Sequence, residues 1–180
     1  MRYIDFDGVI LDTEDHLFYD WYKIPNYHEL TEEDKIRHVQ CANWYKILHE
    51  SNFINDSLYI LKHMDTKNNA ILTKIHSLEN EGYEKIRFLR EKGIKQNIFI
   101  VPYLAKKTDV VSALGNILVD DCLANLDDWT LNGGYPMFFN KKENDIDSWG
   151  QYNHKGYQRV LRINEEIKKK IISFCFCFSI

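Results

Sequence analysis

An α/β fold is what the sequence predicts: a doubly wound, Rossmann-like parallel sheet with a small helical cap inserted after the first strand. Three observations carry this reading. Short apolar runs alternate with helix-length amphipathic segments, the pattern of parallel strands joined by crossover helices. Polar and charged residues gather directly after those runs, where an open parallel sheet forms its ligand crevice. Between the first run and residue 57 the texture changes to aromatic and charged patches of helical character.

Tyr3-Ile4 starts the first strand, and Asp5-Phe6-Asp7-Gly8-Val9 follows it. Alternation along a strand sends the Asp5 and Asp7 side chains to one face. Two carboxylates that close repel each other unless a cation, a shared proton or a reacting group compensates, so the pair marks a candidate site. Its competing reading is a polar turn at a strand end. A calcium loop fits less well, because Val9 and Ile10 stand where that loop needs an acid or amide and a glycine. Gly8 allows the backbone to turn and to approach a ligand closely.

Residues 11–56 form the predicted cap, with Leu17, Trp21, Val39, Asn43-Trp44 and Ile47-Leu48 as helix-like patches; residues 1–10 and 57–180 form the predicted core. In the core, residues 58–63 read as helix and Ala70-Ile71-Leu72 as a buried strand ending at Thr73. An amphipathic helix is expected over 78–92, capped by Ser77 and ended by Gly93. The next strand, 97–101, stops at Pro102. Residues 116–119 are a strand running into Asp120-Asp121, 123–131 a short helix ended by Gly133-Gly134, and 135–139 a strand. Val160, Leu161, Ile167 and Ile171 space one apolar stripe for a final helix. The tail from Phe174 to Phe178 alternates like a strand and carries no evident chemistry.

A length of 180 residues suits one domain of ordinary size with a substantial core. The formal net charge of −4 supplies no general attraction to a nucleic acid polymer or an anionic membrane. No stretch reaches the length of a membrane span, and no basic segment followed by an apolar run opens the chain, so the cytoplasm is the expected compartment. Cys41, Cys122, Cys175 and Cys177 make no C-x-x-C pair and no zinc-like spacing with histidine, which points to free thiols. Cys122 beside the acidic pair reads as a packing thiol.

Four strand-end positions therefore converge: Asp5 and Asp7, Thr73, Lys106 or Lys107, and Asp120-Asp121. Taken singly, each has a plain alternative as a cap, a solvated face or a turn. Together they supply a nucleophile, an acid/base, a hydroxyl, a cation and a metal-binding carboxylate, the components of phosphoryl transfer.

This ordered set, D-F-D-G-V, strand plus Thr, Lys, and strand plus D-D, resembles the four motifs of the haloacid dehalogenase-like phosphohydrolase superfamily, from Tyr3 to Asp121. A narrower resemblance is to the 5'(3')-deoxyribonucleotidase family. Lys107-Thr108, Val110-Val111-Ser112-Ala113 and Ile117-Leu118-Val119-Asp120-Asp121 look like its K-T-V-V-S-A and L-L-I-D-D, and Glu50-Ser51-Asn52-Phe53 looks like its E-S-K-N-F-F. Lys74-Ile75-His76-Ser77 departs from that family's Ser-Pro after the threonine. The resemblance implies a magnesium-dependent phosphatase acting on a small phosphorylated substrate, a nucleoside monophosphate or another ester such as a sugar phosphate; a phosphate-binding protein without turnover is the alternative of a different class. It implies Asp5 as nucleophile, Asp7 as acid and base, and Thr73 and Lys107 as phosphate ligands. Mg2+ would be held by Asp5, the Asp7 carbonyl and Asp121, with Asp120 supporting from behind. Trp21, Tyr22, Trp44 and Tyr45 in the cap are candidates for stacking on a base, with packing of the cap as the competing role.

Overall fold

The computed structural model describes residues 1–19, 29–141 and 157–167. Trp21, Tyr22 and the Phe/Cys tail lie outside the described residues. Six strands make one all-parallel sheet: β1 (Arg2–Ile4), β2 (Asn69–Ile75), β3 (Asn97–Pro102), β4 (Ile117–Asp120), β5 (Tyr135–Phe139) and β6 (Gln158–Val160), in the order β3-β2-β1-β4-β5-β6. The order reverses at β1, and Ile4 aligns with Ile71 on one side and Val119 on the other. Residues just beyond those three positions therefore meet at the carboxyl edge of the sheet. Such a reversal is where open α/β sheets form their ligand crevice.

Two apolar layers hold helices to the two faces. On one face Ile4, Phe6, Ile71 and Val119 pack with α3 (Trp44–Glu50), α4 (Ser57–His63) and α5 (Tyr83–Glu91) through Trp44, Leu48, Leu61, Phe88 and Leu89. On the other, Tyr3, Leu72 and Leu118 pack beneath α6 (Lys107–Val110) and α7 (Leu123–Leu131) through Val111, Leu126 and Trp129. Parallel strands covered on both faces need apolar residues facing both ways, which is why the central runs lack alternation.

The segment between β1 and α4 carries α1 (Glu14–Tyr19), α2 (Glu32–Cys41) and α3. Thr31 starts α2 with a reciprocal capping box to Asp34, and the Asn43 side chain accepts from the Lys46 N–H to start α3. Val39, Trp44, Ile47 and Leu48 from this segment share one core with the sheet.

Two local departures from the sequence reading have physical causes. The expected single helix over 78–92 opens as a π-helical turn, Leu78–Gly82, in which the Gly82 N–H donates to the Ser77 carbonyl, and only then continues as α5. The wider turn directs Glu81 inward, where it is buried. The final helix expected from Val160, Leu161 and Ile167 is not present among the described residues. Residues 158–160 are strand β6 instead, with Phe139 aligned to Val160. The chain then turns, with the Glu165 carboxylate accepting from the Leu161 and Arg162 N–H groups at 2.6 and 3.0 Å. The buried Arg2 fixes that turn through the Ile163 and Glu165 carbonyls. Pairing with the open edge of β5 outweighs a helical spacing of apolar residues, because a ladder satisfies the edge groups.

Candidate active site

The loop leaving β1 is built tightly. Ile10 and Leu11 both donate to the Phe6 carbonyl, and the Gly8 N–H donates to Leu11. Gly8 has φ +69°, and a Cβ there would lie 2.1 Å from Asp121 Oδ2. Only glycine allows this turn to lie against the acidic pair that ends β4.

Asp5, Asp120 and Asp121 each bring a carboxylate oxygen to within 4.8 Å of the other two. Lys107, at the start of α6, answers part of that charge: its buried ammonium lies 2.7 Å from Asp5 Oδ1 and 2.6 Å from Asp120 Oδ2. Asp120 is used up locally, since Oδ1 also accepts from the Cys122 N–H at 2.8 Å and Oδ2 from Asn125 Nδ2 at 3.0 Å. Burial raises the Asp5 carboxyl most; Lys107 pulls it down, Asp120 and Asp7 push it up, and it ends at about 7. Asp121 is likewise held well above the ordinary aspartate range, by burial first and then by Asp120 and Asp5. One ammonium is thus too little charge for three acids. Hard oxygen donors gathered in this way suit a divalent cation such as magnesium.

Asp7 faces a different set of partners. Its Oδ1 accepts from the Thr13 hydroxyl at 2.7 Å, and its Oδ2 accepts from Lys85 Nζ at 2.5 Å and from the buried Thr73 hydroxyl at 3.5 Å. Lys85 is fully buried and pairs also with Glu81 at 2.6 Å. Burial lowers the ammonium pKa, but Asp7 and Glu81 outweigh it and the group ends above the ordinary lysine value.

The structure therefore brings together Asp5, Asp7, Thr73, Lys107, Asp120 and Asp121. Lys106 goes elsewhere: it pairs with Asp128 at 2.7 Å with its side chain largely in water. Trp44 is buried, its indole N–H donates to the Val39 carbonyl at 3.0 Å, and its ring faces Lys85 Nζ at 4.8 Å. That ring is a packing element of the core, not an open stacking face. Tyr45 is exposed, with its ring against His49 at 4.2 Å and the Arg87 guanidinium at 5.2 Å.

Solved structures share this architecture. A haloacid dehalogenase-like hydrolase from Streptococcus pneumoniae matches at 14% identity over 77% of this chain and 83% of its own, with TM-score 0.57. A family IA, variant 3 hydrolase from Entamoeba histolytica matches at 13% over 92% and 94%, with TM-score 0.58. A D,D-heptose 1,7-bisphosphate phosphatase from Burkholderia thailandensis matches at 11% over 90% and 92%, with TM-score 0.53. The fold is that of the haloacid dehalogenase-like hydrolases. No protein-family model and no curated protein matches the sequence.

Within this haloacid dehalogenase-like fold, sequence reasoning missed Thr13, Glu81, Lys85 and Asn125. Lys85 had a legible signal. It lies on the same helical stripe as the buried Phe88 and Leu89, three and four residues on, and Glu81 stands four residues before it. A lysine on an apolar stripe with an acid at i−4 is a buried ion pair in waiting. Thr13 and Asn125 carried no pattern of their own: one stands just before α1 and the other near the start of α7, and only the folded chain brings them to the aspartates.

Proposed function

We propose that this chain is a phosphatase of the haloacid dehalogenase-like superfamily that hydrolyses a small phosphomonoester with Mg2+ and an aspartyl-phosphate intermediate. One observation carries the reading: the Lys107 ammonium lies against Asp5, with Asp120 and Asp121 gathered beside it, and the loop after β1 brings Asp7 to the Thr73 hydroxyl. Asp5 attacks phosphorus in line, and the bond to the leaving oxygen breaks. Asp7 gives that oxygen its proton, then takes one from the water that hydrolyses the aspartyl phosphate. The Thr73 hydroxyl and the Lys107 ammonium hold the nonbridging oxygens, where charge must be stabilised during transfer. Asp120 fixes the Lys107 ammonium between itself and Asp5.

Asp5, the Asp7 carbonyl and Asp121 are the groups that would hold the cation, and the oxygen-only donor set and the uncompensated acids fit it. When bound, Mg2+ neutralises part of the charge shared by the acids and the incoming phosphate. Residues 11–56 serve as a small cap over this site, and residues 1–10 and 57–180 as the catalytic core. A cytoplasmic setting and a small phosphorylated partner go with this reading.

The narrower substrate reading, a deoxynucleoside monophosphate, rests on the likeness of residues 107–121 to the deoxyribonucleotidase motifs. Phosphate release from p-nitrophenyl phosphate, sugar phosphates and deoxynucleoside monophosphates, with Mg2+ and with a chelator, tests both levels. Turnover that requires Mg2+ is the expected result, with deoxynucleotides ranked first. Equal or lower rank for nucleotides removes the narrower reading; no release from any ester removes the phosphatase in favour of a protein that only binds phosphate.

A further inference from the structure

Lys85 is a charged side chain beside Asp7 that the proposed reaction does not use. Its ammonium has no exposure to water, yet it keeps its charge between Asp7 Oδ2 and Glu81 Oε1, at 2.5 and 2.6 Å. The Thr73 hydroxyl and the Lys74 carbonyl stand 3.4 and 3.3 Å away. The Phe6 and Trp44 rings close the cage, with centroids at 5.3 and 4.8 Å. Burying an ion pair is no route to stability, since well-packed apolar residues of similar volume are often as good or better. A cage this complete, opening onto Asp7, needs another explanation.

The secondary structure points the same way. The π-helical turn Leu78–Gly82 lies immediately before α5, and such turns cluster at functional sites. It turns Glu81 inward, where Oε2 accepts from the His76 N–H at 2.7 Å and Oε1 takes Lys85. Glu81 is thus fixed by the backbone of the chain leaving β2, and Lys85 is fixed by Glu81. The second contact of the ammonium then pins one oxygen of Asp7, while Thr13 pins the other.

We propose that Lys85 is a positioning residue for Asp7: held by Glu81, Phe6 and Trp44, it sets the carboxylate at the orientation needed to protonate the leaving oxygen and then to deprotonate water. The proposal rests on the phosphatase reading above. It assigns Lys85 no contact with substrate. Two proton transfers depend on it: from Asp7 to the ester oxygen as the phosphorus–oxygen bond breaks, and from water to Asp7 as the water oxygen bonds to phosphorus and the bond to Asp5 breaks.

This role makes the demand on Lys85 vary with the leaving group. A p-nitrophenolate departs without a proton, whereas phenolate and p-methoxyphenolate need one increasingly. The test uses wild type, Lys85→Met and the double variant Lys85→Met/Glu81→Gln, with p-nitrophenyl, phenyl and p-methoxyphenyl phosphate and saturating Mg2+. The double variant removes both charges together and so avoids an unpaired buried carboxylate, which keeps the test open if the single variant does not fold. In pre-steady-state runs the p-nitrophenolate burst should keep its rate within about threefold while the steady phase falls, because transfer proceeds and hydrolysis of the aspartyl phosphate does not. For the two poorer leaving groups kcat should fall about 100-fold with KM within about threefold, the size of a partly lost general acid. Equal losses in the transfer step across the three esters, or no loss, would overturn the positioning role while leaving the phosphatase reading in place. A wild-type protein that releases phosphate from none of the esters overturns the reading and the role of Lys85 with it.

Discussion

Asp5 concentrates the electrostatic conflict of the proposed site: a buried carboxyl with two further acids and one ammonium within reach. In the ion-free protein it keeps its proton up to about pH 7, whereas an aspartate in the unfolded chain gives it up near pH 3.9, roughly the model-peptide value. Between those limits the folded state binds more protons than the unfolded one. Stability contributed by this group therefore falls as pH rises through the window and levels off above it. Asn at position 5 has no proton to lose. The unfolding free energy of wild type minus that of Asp5→Asn, measured in chelator, should decline from about pH 4 to about pH 8, with a slope on the order of 1 kcal/mol per pH unit at most. A flat or rising difference would contradict a protonated Asp5. The same variant should lose on the order of 10,000-fold or more in kcat while staying folded, the scale seen when a nucleophile is removed; an active, folded Asp5→Asn protein rules out Asp5 as nucleophile. Asp5, Asp7 and Asp121 were legible because each follows an apolar run at a strand end; Thr73 was legible from the run before it, although β2 continues past it to Ile75. The choice between Lys106 and Lys107 was not readable from spacing alone. It turns on which lysine begins α6 facing the sheet, and only Lys107 does so, while Lys106 reaches Asp128 at the surface.

Among elements, α7 shows how little of a packing contact its sequence announces. Gly133-Gly134 reads as a helix terminator, and Gly133 does take a left-handed φ of +79°. Gly134 has a different job. A Cβ on it would stand 2.2 Å from the Trp129 ring and 2.9 Å from the Ala113 carbonyl, so its bareness lets the fully buried indole lie flat against the start of β5 and donate to the Asn116 carbonyl at 3.1 Å. Gly134→Ala should therefore act as overpacking and cost about 1–3 kcal/mol. Urea unfolding would read this as a lower midpoint at unchanged slope; an unchanged midpoint would mean that Trp129 has room to move. The central strands β2 and β4 were legible for the opposite reason, since burial on both faces leaves a run of apolar residues. β6 and the π-helical turn were not. Three residues of β6 take their identity from the partner strand, and the π-helical turn depends on an inward Glu81 that no local pattern demands.

For the molecule as a whole, the strand order does what no single residue can. It sets β1 between β2 and β4, so that carboxylates from residues 5 and 121, distant in sequence, share one crevice at the point where the order reverses. The fold class was legible from the rhythm of apolar runs and helices, and the order of β1, β2 and β4 follows from right-handed crossovers that favour few arrangements. Depth of burial was not legible, and it decides the electrostatics: the formal charge of −4 is modest, yet Asp5 and Asp121 both sit well above the usual aspartate range. On the proposed reading a cation entering the crevice offsets this repulsion in the folded protein, whereas the unfolded chain, with its acids apart, would have no comparable affinity. Binding to the folded state alone stabilises by mass action, about 2.7 kcal/mol at a hundredfold excess over the dissociation constant. For a chain of this size that corresponds to a rise of roughly 5–10 °C in Tm. Thermal melts at about pH 8 with increasing Mg2+ should show that rise, with no comparable change from Na+ at equal ionic strength. Asp121→Ala removes one of the proposed carboxylate ligands together with the repulsion it adds, so its ion-free Tm should be no lower than that of wild type and its response to Mg2+ should vanish. A full Mg2+ response in Asp121→Ala would move the cation away from this crevice.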